Sequence, residues 1–244
     1  DMAGFDLGEV PEPMSRLWVR GGLPRSWVAE SDADSFAWRE GFIRTYLERD
    51  IPELGFRIPS VTMRRFWTML AHYHGQVVNY SRLAQAMALP VKTIRDYLDL
   101  LTATWMIRQL QPWYENIQKR QVKSPKLYFR DTGLLHSLLE LPTLHAITGH
   151  PAVGASWEGF ALEQTIRLAR LHPAWFWSTH QGADLDLLFF HNGKRYGVEV
   201  KYAEAPNITR GMRIAIEDLS LERLWIVTPG DRGGPLDESI ELCP

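Results

Sequence analysis

Ala183-Asp184-Leu185-Asp186-Leu187-Leu188-Phe189-Phe190, the turn His191-Asn192-Gly193-Lys194, and Tyr196-Gly197-Val198-Glu199-Val200-Lys201 form the most informative stretch of this chain. Two strand-length runs flank an Asn-Gly turn, which is the sequence pattern of a β-hairpin. On the second strand the period of two sets Glu199 and Lys201 on one face, and Val198 and Val200 on the other. Charged groups on strands otherwise built for burial need partners or a metal. Asp186 and Glu199, on neighbouring strands, are therefore expected to offer carboxylate oxygens to a hard cation, Mg²⁺ or Mn²⁺, which favours oxygen ligands. Lys201 beside them is expected to orient an attacking water or stabilise charge developing on a phosphate. Glu158, on the preceding helix, is a further candidate ligand, directly or through water.

Outward from the hairpin, Ser156 to Arg170 reads as a helix with Phe160, Ile166 and Ala169 inward and with Glu158 and Glu163 on its first turns. Ala174 to Thr179 reads as a strand, Ile208 to Leu219 as a helix and Leu224 to Thr228 as a buried strand closed by Pro229-Gly230. The resulting order is α-β-β-β-α-β over residues 156–244. Glu163 is an alternative to Glu158, and Asp184 is read as a strand cap or an outer contact. Pro142 to Gly154, with two prolines and two glycines and no clear period, is expected to be a linker over residues 142–155.

Upstream, residues 59–141 read as a helical unit with a short ribbon. Val61 to His74 gives a helix stopped by Gly75, Tyr80 to Met87 a short helix, Leu89-Pro90 a turn, and Val91 to Trp105 a longer helix. Short helix, tight turn, longer helix is the helix-turn-helix pattern. Met106 to Trp113 and Lys126 to Phe129 have strand composition, and the loop between them is basic, as in a winged helix. Lys92 and Arg95 on the longer helix, with Lys119, Arg120, Lys123 and Lys126 around the loop, are the candidate DNA contacts. Residues 1–58 open with turns and then form a helix from Ser35 to Leu47, with Ser31 and Asp32 available for capping and Pro52 and Gly55 ending it. The fold class expected is α/β, α+β overall: a winged-helix-like unit followed by an α-β-β-β-α-β unit.

Bulk properties agree with a globular chain: 244 residues, 45% hydrophobic and 11% aromatic, with 10 Trp. Net charge is -2, so nucleic-acid binding has to come from local patches. The single cysteine, Cys243, excludes an internal disulfide and any zinc site built on several cysteines, and suits a reducing cytoplasmic setting. No apolar run nears the roughly 20 residues of a membrane span. The start, Asp1-Met2-Ala3-Gly4-Phe5, lacks signal-peptide features, and an opening this abrupt is expected partway along a longer chain. No HExxH pair or Gly-x-Ser-x-Gly elbow is present. His72 and His74 are read as solvent-exposed at a helix end, and Trp38, Trp67, Trp105 and Trp157 as core.

Glu158, Asp186 and Glu199-Val200-Lys201 in an α-β-β-β-α-β order resemble the PD-(D/E)XK nuclease superfamily, with Leu185 where that motif has proline. The resemblance implies a restriction-endonuclease-like fold for residues 156–244 and metal-dependent phosphodiester hydrolysis. Over nearly the whole chain, Arg20-Gly21-Gly22-Leu23-Pro24, Tyr46-Leu47-Glu48-Arg49-Asp50-Ile51, Lys119-Arg120 with Lys123-Ser124-Pro125-Lys126, Arg130-Asp131-Thr132-Gly133-Leu134 and Trp157-Glu158-Gly159-Phe160 are similar to prokaryotic AAA-type ATPases with a nuclease-like C-terminal domain. That likeness implies an ATP-binding domain upstream, with residues 1–58 its remnant or lid. The chain has no Gly-rich phosphate loop, so no ATPase activity is expected of it. DNA is the implied partner, and a homodimer suits double-strand cutting, which needs two sites. The alternative is a non-catalytic module that binds DNA or a protein and regulates the ATPase, its charged cluster being a structural ion pair.

Overall fold

The computed structural model describes residues 4–10, 13–115 and 121–244, and the chain is α+β. It divides into two compact units, residues 1–108 with 127–160, and residues 109–126 with 161–244.

The first unit is mainly helical. It opens with α1 (Met14–Arg20), α2 (Pro24–Trp27) and α3 (Asp32–Thr45), the last capped by Ser31, whose side chain accepts the Asp34 N–H. The helical run ends at Glu53, between Pro52 and Gly55 as expected, with Gly55 at φ 90°. A π-helical turn, Tyr46–Asp50, carries α3 on into α4 (Ile51–Glu53). A wide turn is the usual accommodation where proline removes a donor and crowds the preceding carbonyl. The helices α5 (Ser60–His72), α6 (Tyr80–Met87) and α7 (Val91–Ala103) follow at the expected places. Asn79 caps α6, Ala88 turns left-handed at its end, and Pro90 precedes α7. Phe66, Trp67, Leu70, Leu83, Ile94, Leu98 and Leu101 from their inner faces share one core with Ile43, Leu47 and Ile51. Strands β1 (Ile107–Leu110) and β2 (Lys126–Phe129) pair with each other.

The chain then forms α8 (Thr132–Leu138), α9 (Leu144–Thr148) and α10 (Val153–Leu168). Within the expected linker, α9 is a regular turn of helix capped by Thr143, with Ile147 buried. Its five residues are too few for a periodic signal.

Several motifs behind the family likeness have structural roles in this unit. The Asp131 carboxylate accepts N–H groups from Gly22, Leu23 and Leu134, tying the Arg20–Pro24 turn to the start of α8. Arg39 is fully buried and donates to the carbonyls of Val19 and Gly133. Gly159 lies against His74, where a Cβ would sit 2.1 Å from Nε2. His74 is therefore buried, contrary to the exposure expected of it, and its Nδ1 accepts the Phe129 N–H. Burial lowers its pKa to about 3, so the ring is neutral. Trp67 and Trp157 are core as expected. Trp105 is exposed, adopts φ 66° just past α7 and carries the Arg130 guanidinium over its ring.

The second unit is built on a six-stranded sheet of β3 (Trp175–Ser178), β4 (Asp184–His191), β5 (Lys194–Val200), β6 (Arg223–Val227), β7 (Gly234–Pro235) and β8 (Ile240–Cys243), in the order β3-β4-β5-β6-β8-β7. β3, β4 and β5 are antiparallel neighbours, whereas β5-β6 and β6-β8 are parallel. Helix α11 (Arg210–Leu219), capped by Thr209, connects β5 to β6 and packs Met212, Ala215 and Leu219 on Leu185, Leu188, Leu224 and Ile226. From α10 to β6 the element order is α-β-β-β-α-β.

Residues 109–126 belong to this unit, which changes the expected wing. The Trp113 N–H donates to Phe176 O, Phe176 N–H to Gln111 O, and Val122 N–H to Ser178 O, so these residues lie along β3 and cover that sheet edge. The Gln121 amide holds the two arms together, bonding both backbone groups of Glu115 and the Trp177 indole. Lys119 and Arg120 fall outside the described residues.

Candidate functional site

The site is built where β4 and β5 part. Their ladder runs from His191↔Lys194 to Leu187↔Val198. Just beyond it the Val200 N–H is taken by a side chain, Asp186 Oδ2, at 3.0 Å. Asp186 and Glu199 are both buried there, at 4% and 3% exposure. Asp184, at the outer end of β4, is exposed.

Glu199 Oε1 accepts from Lys201 Nζ at 2.6 Å, while Oε2 is buried without a hydrogen-bond partner. Burial, and after it the Asp186 charge, pushes the Glu199 carboxyl up to about 8, against the pull of the Lys201 ammonium. For Lys201, half-exposed, burial works downward but is outweighed by the Glu199 carboxylate and its hydrogen bond, so its pKa is raised. Three of the four residues expected at the site are thus in one unit. Two of these, Glu199 and Lys201, are bonded to each other.

The other residues are distributed differently. Glu158 belongs to the first unit, where its Oε1 accepts the Tyr128 hydroxyl. Glu163, on α10 in the second unit, is buried. Among the described residues no group of three or more His, Cys, Asp or Glu is disposed to hold a metal ion. Lys92 and Arg95 are exposed on the first turns of α7, Arg95 lying 3.9 Å over the Tyr80 ring, and Lys123 is exposed.

Lys126 is corrected from a DNA-contact candidate to a buried member of the site. Its ammonium donates to Asp186 Oδ1 at 2.9 Å, with side-chain exposures of 10% and 5% for the two partners, and lies 5.6 Å from the Phe176 ring centre. The signal for this was local but faint: a lysine opening Lys126-Leu127-Tyr128-Phe129, a strand buried at every position. A lysine there needs an acid.

Residues 12–145, more than half of the chain, match the family model described as Domain of unknown function (DUF8612). The chain belongs to that family. Residues 153–244 match a second model, Domain of unknown function (DUF4143). The chain is similar to the uncharacterized protein Rv2008c of Mycobacterium tuberculosis, 52% identical over 245 residues, and at the same identity to Mb2031c of Mycobacterium bovis. Each likeness covers 100% of this chain and 56% of the relative, so the chain spans about half the length of the curated relatives it matches. No solved structure matches it. Lys126 lies in the DUF8612 region and its partner Asp186 in the DUF4143 region, although both belong to one compact unit. Among the described residues no helix is long and apolar enough to cross a membrane.

Proposed function

We propose that the second unit is a nuclease-like module whose Asp186 and Glu199 hold a divalent cation, Mg²⁺ or Mn²⁺, for phosphodiester hydrolysis. One observation carries this reading: a buried carboxylate, Glu199, keeps Oε2 without a partner beside a second buried acid and a half-exposed lysine. An unpartnered buried oxygen is costly unless something binds it, and oxygen donors suit a hard cation. With two carboxylates the protein would supply part of a shell, which fits a small ion that retains several waters. Bound there, the cation would supply Lewis acidity and a more acidic water. Lys201, held by Glu199 and partly open to solvent, is placed to position that water or to meet charge on a phosphate oxygen. Asp186 is held in one orientation by the Val200 N–H and Lys126.

The test is incubation of the purified chain with linear, circular and single-stranded DNA in Mg²⁺ or Mn²⁺, beside Lys201→Ala and Glu199→Gln. Cleavage by the parent that falls at least about 100-fold in both variants is expected. Intact DNA with the parent, or equal cutting by the variants, rejects the reading.

A second reading has its own support. Asp186 with Lys126 and Glu199 with Lys201 form a tetrad of two acids and two amino groups, each paired within the chain, an arrangement that suits a structural network in a non-catalytic module. In either reading we infer that the helix pair α6-α7 contacts DNA through Lys92 and Arg95, and that the chain is the C-terminal part of an AAA-type ATPase-family protein. The chain-long sequence likeness and the greater length of its relatives support the latter. Replacing Lys92 and Arg95 with alanine is expected to weaken DNA binding about tenfold at low salt and to reduce the salt slope by about 1 for each phosphate that is no longer neutralised. An unchanged slope would assign α7 to protein contact.

A further inference from the structure

We propose that Lys126 is a built-in counter-ion of Asp186, a positioning residue that fixes this carboxylate and weakens divalent-cation binding at the Asp186–Glu199 pair. The inference deepens the metal-site reading above and rests on it for its chemistry, but its outcome can be separated from that reading.

Both Asp186 oxygens are engaged, Oδ1 by the Lys126 ammonium at 2.9 Å and Oδ2 by the Val200 N–H at 3.0 Å. The carboxylate is therefore fixed in rotation. Glu199 differs in having one oxygen held by Lys201 and the other unpartnered. The two lysines also differ. Lys201 is 40% exposed at the side chain and can swing into solvent, whereas Lys126 is 10% exposed and lies beside Phe176. Loss of the Lys126 charge would leave buried Asp186 without its direct ion-pair partner, the costly state for an ion pair.

The same contact bears on how a cation would bind the pair. The Asp186 charge is what draws a cation to the pair, and Lys126, bonded directly to it, is a positive charge that opposes the ion there. A ligand-bound Mg²⁺ or Mn²⁺ sits about 2.1 Å from its oxygen. On Asp186 Oδ1 that places it within a few ångströms of the Lys126 ammonium, and like charges repel strongly at short range in poorly solvated surroundings. Lys123, three residues earlier, is exposed and does not substitute for this contact.

The experiment compares the parent chain with Lys126→Met, Glu199→Gln and Lys126→Met/Asp186→Asn, reading Mn²⁺ affinity by calorimetry and Tm with EDTA or Mn²⁺. Lys126→Met is expected to bind Mn²⁺ at least about tenfold more tightly than the parent. Its Tm should be lower than the parent's in EDTA and rise further on adding Mn²⁺, and Asp186→Asn should abolish both gains. If the parent binds Mn²⁺ through Glu199 and Lys126→Met binds no more tightly, the counter-ion inference is overturned and the metal reading stands. If only Lys126→Met binds Mn²⁺, the inference is supported and the parent's metal site is rejected. If neither binds, both are rejected. Should Lys126→Met fail to fold, Lys126→Gln, whose uncharged amide can still donate to Asp186, is expected to show the same roughly tenfold gain, and absence of that gain overturns the inference.

Discussion

Glu199 couples the site to pH. Its carboxyl is shifted from 4.5 to about 8, first by burial and then by the Asp186 charge. A raised acid pKa means that the folded chain binds this proton more tightly than the unfolded one, so the group's contribution to stability is complete below about 4.5 and is lost as pH rises through about 8. In EDTA the parent should therefore lose stability across that window, with a ceiling of about 5 kcal/mol at ~1.4 kcal/mol per tenfold change. Glu199→Gln, which cannot ionise, should flatten the slope and exceed the parent in stability at about pH 8.5. Urea denaturation at about pH 5, 7 and 8.5 checks this, and parallel profiles for parent and variant would contradict it. Lys201 pulls in the opposite direction, through its charge and its hydrogen bond.

At the scale of elements, α8 sets helix propensity against packing. Gly133 lies inside this helix, where alanine is favoured by about 1 kcal/mol on propensity alone. A Cβ at Gly133 would, however, sit 2.1 Å from the Arg20 carbonyl oxygen and 2.9 Å from the Gly21 nitrogen. Gly133→Ala is thus expected to be less stable by about 2–4 kcal/mol, while Gly41→Ala, with nothing within 4 Å, should gain up to about 1 kcal/mol. Urea midpoints of the two variants decide the matter. The same contrast explains what was legible in the sequence. The helices α5 to α7 and strands β4 and β5 announce themselves because local period and turn chemistry act in the same direction as burial. Arg39 does not, because its burial depends on carbonyls at Val19 and Gly133, distant in sequence. Strand β8 is only four residues long and depends on parallel pairing with β6, also non-local. At the site, Asp186, Glu199 and Lys201 were readable from one hairpin, whereas Lys126 reaches Asp186 from 60 residues away.

For the whole molecule, the unit of folding differs from the unit of sequence matching. The DUF4143 match begins at residue 153, yet the compact unit that holds the site also includes residues 109–126. That segment bonds β3 through Gln111, Trp113 and Val122, pairs Glu115 with Arg195, and brings Lys126 to Asp186. A fragment of residues 153–244 would expose β3 as an unpaired edge, an invitation to association, and leave Asp186 buried without its ammonium. Losing one partner of a buried pair costs about 3–5 kcal/mol, a large part of the roughly 5–15 kcal/mol that holds a domain together. The fragment is therefore expected to aggregate, or to lose the near-ultraviolet circular dichroism contributed by Trp177 and Trp225. The full chain should keep both its monodisperse elution and that signal. A monomeric 153–244 fragment with a native tryptophan spectrum would show that residues 109–126 are dispensable for the fold, and would leave Lys126 with a role at the Asp186–Glu199 pair alone.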